Sequence, residues 1–266
     1  RNKGRAKVVG VTVLGSGSTG NAVVVQGEDR ALLIDAGFSM KQTRERLAKS
    51  GIEPSSLAAI LVSHEHGDHV KGLRVAAKQL EVPVYCNRST AMILKDGKYD
   101  PGKMTLFNTG TEFSRGEFRI LPFSVPHDAM DPVGFIIETK NHKIGVATDL
   151  GHVSNPVAYH LRECDILVIE SNHDLELLKQ SQRPWSLKQR IMGRHGHLSN
   201  DASSELTSRI IHERTRHIVL AHASEDCNRP HLIEKSLADT LVAASRPDLT
   251  PLVARQTDPL PPLWVD

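Results

Sequence analysis

Hydrophobic positions in this chain come in short runs. Residues 8–14, 21–26 and 30–34 are rich in Val, Ile and Leu and are separated by glycine-rich or charged turns, which predicts three strands. The spacing predicts a helix over 40–49, closed by Gly51 with Pro54 just beyond. Residues 58–62 form an apolar run ending in Ser63-His64, the profile of a buried strand that delivers its C-terminal end to a loop. A helix over 70–80, a strand over 82–86 and a helix over 89–95 follow. Strands are then expected at 104–108, 117–125, 134–139 and 143–148, with Asn141-His142 as a tight turn. The second half mixes types, with helices at 156–162, 174–180, 186–192, 201–214 and 230–244 and strands at 165–170 and 217–221. Its proline-rich tail reads as extended edge structure. Strand blocks interleaved with helices in both halves predict an α/β fold of two packed sheets with helices outside. No repeat or low-complexity linker divides the chain, so the reading is a single domain over 8–266 behind a basic extension at 1–7.

Composition narrows the class without deciding it. With 39% apolar and 24% charged residues among 266, disordered, collagen-like and disulfide-scaffold chains are excluded. Cys86, Cys164 and Cys227 are too few and too scattered for a disulfide framework, which fits a reducing compartment. No apolar run approaches the roughly 20 residues that span a bilayer, and a net charge of +2 does not announce a polyanion binder. The basic start before 8–14 superficially resembles a signal peptide, but its apolar part is short, is broken by Gly10 and Thr12, and leads to no Ala-x-Ala site. The expected address is the cytoplasm, and the missing initiator Met is read as processing or trimming. The unusual count is fourteen histidines.

Their placement carries the chemistry. Ser63-His64-Glu65-His66-Gly67-Asp68-His69 sets three imidazoles and two carboxylates at the end of a buried strand. These are ligand types that zinc, manganese and iron accept. On a helix, residues two apart point to different sides, so the cluster is expected on a loop that wraps its side chains around ions. A merely solvated loop would have no matching ligands elsewhere. Three later predicted strands each end in one: His127, Asp149 and His222.

The arrangement resembles the metallo-β-lactamase fold, whose hallmark is His-x-His-x-Asp-His followed by a separate His, Asp and His. The resemblance implies an αββα sandwich of two mixed sheets with outer helices. It also implies two divalent metal ions (zinc, manganese or iron), one held by His64, His66 and His127, the other by Asp68, His69 and His222, with Asp149 bridging. Asp35 matches the Asp that supports the family's histidine loop, while Glu65 has no ligand position and is expected to face solvent. There is no cysteine at the second metal, as the main β-lactamase class would have. Only 73 positions separate Asp149 from His222, too few for the inserted cap of the RNA- and DNA-processing branch. The long arm of the transfer-RNA 3′-processing branch has no counterpart either.

Further segments are similar to the bacterial YycJ group, also called WalJ or VicX: 14–21, Glu170-Ser171-Asn172-His173-Asp174, Leu187-Lys188-Gln189-Arg190 and Gly196-His197-Leu198-Ser199-Asn200. Around His222 the group pattern is followed less closely, since Ala223 and Cys227 depart from it. Members of the group are described as cytoplasmic metallohydrolases, some with proposed 5′→3′ DNA exonuclease activity. The glycine-rich 15–20 lacks a P-loop ending and precedes a strand, so it reads as a tight turn near the site mouth. By resemblance His197 would contact the scissile phosphate and protonate the leaving oxygen. His173, Ser199, Lys188 and Arg190 are candidate substrate contacts, Ser199 also being a candidate helix N-cap. Lys179, Arg183, Lys188, Arg190 and Arg194 form a basic stretch around Trp185, which reads equally as a phosphate-and-base contact and as a solvated helix face with a core Trp.

The expected function is a phosphodiesterase on nucleic acid, with DNA as substrate and partner. A metal-bridging hydroxide would be the nucleophile, Asp68 and Asp149 the ligand carboxylates, His197 the acid, and Asp35 the supporting carboxylate. Two alternatives stand beside it: a glyoxalase-like (thio)ester hydrolase of the same fold, and a non-enzymatic regulatory protein that keeps metals for stability.

Overall fold

A computed structural model describes residues 9–266, so the extension expected at 1–7 lies outside the described residues. The first half builds one sheet. β1 (Val9–Gly15), β2 (Ala22–Gln26) and β3 (Ala31–Ile34) pair antiparallel in sequence. After α1 (Met40–Lys49), β4 (Leu57–Leu61) joins parallel to β3. A one-turn helix α2 (Gly67–Val70), α3 (Leu73–Leu80), β5 (Val84–Asn87), α4 (Arg88–Asp96) and β6 (Met104–Phe107) complete its parallel edge. The second half builds the other sheet. β7 (Phe113–Arg115), β8 (Phe118–Ser124), β9 (Val133–Glu138) and β10 (Lys143–Ala147) run antiparallel. β11 (Ile166–Glu170) follows α5 (Asn155–Leu161) and pairs parallel to β10. β12 (His217–Ala221) pairs parallel to β11 after α6 (Leu175–Gln180), α7 (Trp185–Met192) and α8 (Asn200–Ile210). Beyond α9 (Pro230–Ala243), β13 (Leu252–Val253) extends this sheet, and β14 (Leu263–Val265) crosses back to pair with β1.

Alternation along each strand explains the packing. Val11, Val13, Val25, Leu32 and Ile34 of the first sheet meet Ile120, Phe135, Ile137, Val146 and Val168 of the second. The residues between them face outward but are covered too. Val24, Leu33 and Ile60 lie with Leu47, Leu73 and Leu94 of α1, α3 and α4, and Leu167, Ile169 and Leu220 with Leu161, Leu206 and Leu237 of α5, α8 and α9. Strands buried on both faces read as continuous apolar runs, which is why they were legible. The result is the expected αββα sandwich.

Three elements differ from the sequence reading. The helix expected over 70–80 breaks at Gly72, whose N–H bonds Ala36 O at 2.9 Å and where a Cβ would run into the carbonyl oxygen of Phe38. The helix expected to reach Arg214 stops at Ile210, and the Arg214 guanidinium turns instead to Asp165 and the Asn141 carbonyl. β7 was not anticipated, because three residues with Phe113 as their one large apolar side chain leave no periodicity to read. The tail does supply edge strands, β13 and β14. No helix among the described residues is long and apolar enough to cross a membrane.

Candidate metal centre

The C-terminal ends of β3, β4, β8, β10, β11 and β12 meet at one rim of the sandwich, and each delivers a polar side chain there. Just past three of these ends the chain turns through a left-handed conformation at a residue other than glycine: Asp35 (φ 61°), Asp149 (φ 58°) and His222 (φ 56°). That conformation costs roughly 1–2 kcal/mol for a residue with a Cβ, and such strain persists where surrounding structure over-determines it. Here it swings a carboxylate or imidazole off the strand direction and toward the rim. His64 and His66 follow β4 on irregular chain, as expected, but Asp68 and His69 ride on the helical turn α2. That turn is pressed down by Gly37, where a Cβ would collide with the Asp68 carbonyl, and Asn21 N–H bonds the same carbonyl at 2.8 Å.

The side chains form overlapping sets. His64, His66 and His127 bring one donor atom each within 4.8 Å of one another, and so do Asp68, His69 and His222. Asp149 spans both sets, with Oδ2 3.2 Å from His69 Nε2 and Oδ1 3.5 Å from His222 Nε2 and 3.8 Å from His127 Nε2. Four of the five rings, all but His66, are held from behind by their other nitrogen. His69 Nδ1 lies 2.7 Å from Asp35 Oδ2, His222 Nδ1 2.9 Å from Glu170 Oε1, His127 Nδ1 3.1 Å from Gly196 O, and His64 Nδ1 3.0 Å from Ser63 Oγ. The ligand-side atoms are left over. His64 Nε2 is buried and finds no hydrogen-bond partner among the described residues, and Asp149 Oδ2 faces only the His69 imidazole, at 3.2 Å. An unmatched buried polar atom such as His64 Nε2 is costly, and a cation bound there would remove that cost. The imidazole and carboxylate donors present therefore fit a divalent metal.

Electrostatics agrees with this geometry. Burial works against charge on Asp149, yet His222 and His69 hold its carboxyl well below the usual range. Burial likewise opposes charge on His222, but Asp149, Asp68 and Glu170 push the imidazole up to about 10. His69 is raised for the same reason by Asp149, Asp35 and Asp68. His64, buried and with fewer carboxylates beside it, is pushed well below its ordinary value and stays neutral.

Several residues singled out in the sequence come together at this rim. Asp35 takes Ser63 N and Oγ, both at 2.8 Å, besides His69, so it fixes the start of the histidine segment. His197 lies beside the ligands, its Nδ1 2.8 Å from Glu170 Oε1, and lines a cavity of about 160 Å³ with His222, Asp128, Arg183 and Arg190. Arg190 is exposed and its Nε donates to Asp128 Oδ2 at 2.6 Å.

Other candidates have their side chains engaged within the fold or lie elsewhere. Lys188 is buried and its ammonium donates to the carbonyls of Lys179 and Ser181 at 2.6 and 2.7 Å, so it closes the end of α6. Ser199 Oγ accepts Ala202 N–H, so its hydroxyl serves as the N-cap of α8. His173 is 2% exposed, pairs through its backbone with Ser199 and Asn200, and burial pushes it down to about 4, leaving a neutral interior ring outside the cavity. Glu65 does not simply face solvent, because its Oε1 takes Met130 N–H at 2.9 Å and straps the segment after His127. Trp185 is not a core residue. It is 61% exposed, but helical spacing puts it on the side of α7 away from Leu187, Arg190 and the cavity.

Glu170 is the residue the reading missed. Fully buried, it accepts from His197, His222, Leu150 N and Leu198 N, and burial, which disfavours its charge, is outweighed by the two imidazoles that bring it down to about 2. The signal was present, since Glu170 ends the apolar run 166–169 as a carboxylate at a strand end. Asn21 was also missed. Its Nδ2 sits 3.2 Å from Asp68 Oδ2 and 3.1 Å from His69 Nε2.

The chain matches the Beta-lactamase superfamily domain over residues 30–222. It is 36% identical over 232 residues to the exodeoxyribonuclease YycJ of Bacillus anthracis, covering 86% of this chain and 88% of that protein. It is 34% identical over 237 residues to the exodeoxyribonuclease WalJ of Streptococcus pneumoniae, covering 88% of each. Among solved structures it is similar to the metallo-beta-lactamase fold protein YhfI from Bacillus subtilis (TM-score 0.71, 15% identity, 95% of this chain and 99% of that one). It is equally similar to Zn(2+)-bound PqqB from Methylobacterium extorquens (TM-score 0.71, 17% identity, 97% and 99%). At such identities these two structures speak to the fold alone.

Proposed function

The chain belongs to the β-lactamase superfamily, and from there we propose that it is a dinuclear metal-dependent phosphodiesterase, a 5′→3′ DNA exonuclease working in the cytoplasm. The observation that carries the reading is the rim itself, where two three-residue sets lie on either side of Asp149 and His64 Nε2 is left buried without a partner. Relatives named exodeoxyribonucleases that cover most of the chain support DNA as the substrate.

His64, His66 and His127 would hold one ion and Asp68, His69 and His222 the other, with Asp149 common to both. Such ions, when bound, acidify water toward neutral pH and offset the charge on a phosphate. The remaining work falls to the chain's own groups. Asp35 and Glu170 keep His69 and His222 turned with Nε2 inward. Glu170 also holds a proton at His197 Nδ1, and although burial opposes charge there, the carboxylate raises the ring above its ordinary value. A charged His197 carries a second proton on Nε2, toward the cavity. As the phosphorus–oxygen bond breaks, that proton can pass to the departing 3′ oxygen, general acid catalysis of the ordinary kind.

The test is digestion of a 5′-phosphorylated single-stranded DNA labelled at its 3′ end, with wild type and Asp149→Ala side by side and Mn²⁺ or Zn²⁺ supplied. Stepwise shortening from the 5′ end that the variant lacks is the expected result. Intact DNA with metal demonstrably bound would overturn the exonuclease reading, and thioester hydrolysis under those conditions would put the glyoxalase-like alternative in its place.

A further inference from the structure

Beyond His197 the rim opens into the cavity of about 160 Å³, and most of its wall has no part in the chemistry above. One side is a single face of α7 and its approach, where Arg183, Leu187, Arg190 and Ile191 recur at helical spacing. Ser18, Asn172 and Ser224 also line the cavity, together with His197 and His222.

The charge in this cavity is positive and only partly matched. A guanidinium has five N–H donors. Arg190 uses its fork on Asp128, the one carboxylate among the described residues of the wall, and thereby neutralises it. Arg183 meets Asp226 Oδ2 at 2.8 Å, but that carboxylate is 74% exposed, outside the lining, and solvent screening makes its hold weak. Arg183 is thus the surplus cation. Leu187 and Ile191 beside it lower the local polarity, which strengthens charge-assisted hydrogen bonds. The wall is also fixed relative to the metal ligands. His197 N–H bonds Ile191 O at 2.9 Å, Gly196 O meets His127 Nδ1 at 3.1 Å, and a Cβ on Gly196 would run into the carbonyls of Ile191 and Arg190.

We propose that this cavity is a second phosphate subsite, one that takes the terminal 5′-phosphomonoester of the strand while the adjoining phosphodiester lies at His197. The inference rests on the phosphodiesterase reading and adds what makes the enzyme start at an end. A phosphomonoester carries roughly −1.5 to −2 charges at pH 7 and three acceptor oxygens, whereas an internal phosphodiester carries one charge and continues in both directions. A space of this size accepts a terminal phosphate with part of its sugar, not a further nucleotide beyond it.

The experiment compares kcat/KM on single strands of one sequence bearing either a 5′-phosphate or a 5′-hydroxyl. Wild type is expected to favour the phosphate on the order of tenfold or more, the yield of one charge-assisted hydrogen bond. Arg183→Gln should reduce that ratio to near unity, and Asp226→Asn, which frees Arg183, should keep or raise it. Bis(p-nitrophenyl) phosphate is run in parallel on wild type. If it is cleaved and both strand ends are processed equally, the subsite is overturned while the phosphodiesterase reading stands. If wild type cleaves no phosphodiester, that reading fails, and calorimetry with thymidine 5′-monophosphate against thymidine decides the subsite separately. Tighter monophosphate binding that Arg183→Gln abolishes supports it, and equal binding of the two overturns it.

Discussion

Glu170 concentrates more of the site in one side chain than any ligand does, because the same carboxylate serves two imidazoles and two backbone N–H groups. Glutamine keeps the shape but turns an NH₂ toward donors that need an acceptor. Glu170→Gln should therefore lower metal affinity by about 10–100-fold, the usual effect of losing a ligand's outer partner, and lower turnover with it. Metal retained per chain after dialysis, set beside the rate on bis(p-nitrophenyl) phosphate, checks both. Lys188→Met makes the contrast. It removes two hydrogen bonds from a buried ammonium to the carbonyls closing α6, so it should lower the melting temperature and leave turnover intact, with a cost of about 1–3 kcal/mol. The two residues also mark what was legible. A carboxylate closing an apolar run is visible in the sequence, and by that criterion Asp149 was found and Glu170 could have been. A lysine in a basic stretch looks the same whether its ammonium meets solvent or a helix end, because the difference lies in a tertiary contact that leaves no local pattern.

Elements, unlike residues, were mostly read correctly, and for a physical reason. Strands covered on both faces must be apolar at every position, so β2, β4, β11 and β12 stood out as unbroken runs. What stayed hidden were the turns the chain makes where backbone meets backbone. The break between α2 and α3 exists because Gly72 lies against residues 36–38, and α2 itself sits where it does because Gly37 lets the Asp68 carbonyl approach. The glycines were visible, but the segments they face were not. Gly37→Ala should consequently weaken metal binding through a displaced α2, measured by metal titration, while far-ultraviolet circular dichroism stays close to wild type. A change in α1, which bears no ligand, should do the opposite. Ser39→Ala removes one half of the capping box with Gln42 and is expected to cost about 1 kcal/mol of stability at unchanged metal affinity.

At the scale of the whole molecule, the sandwich gathers Asp35, Asp68, Asp149 and Glu170 with six imidazoles on one rim, and that density of charge ties stability to both pH and metal. Without metal, His222 is raised from 6.5 to about 10, so its ion pairs contribute fully below pH 6.5 and are lost as pH climbs through 10. Glu170 is lowered from 4.5 to about 2, so its contribution is complete above pH 4.5 and disappears as pH falls through 2. For these two groups, the metal-free protein keeps both contributions in full between pH 4.5 and 6.5 and loses the His222 share toward alkaline pH. The metal-bound protein behaves oppositely. His69 and His222 must give up protons to become ligands, so binding releases protons and tightens as pH rises. The two trends act in the same direction on the difference between the states. With metal at about 100 times its dissociation constant, ligand linkage adds about 2.7 kcal/mol, which for a chain of this size shifts the melting temperature by about 5–10 °C. Melting curves recorded with Mn²⁺ or with a chelator between about pH 6 and pH 9 should show this gap opening steadily as pH rises. A gap that stays flat or closes would mean that these imidazoles are not what the metal displaces protons from.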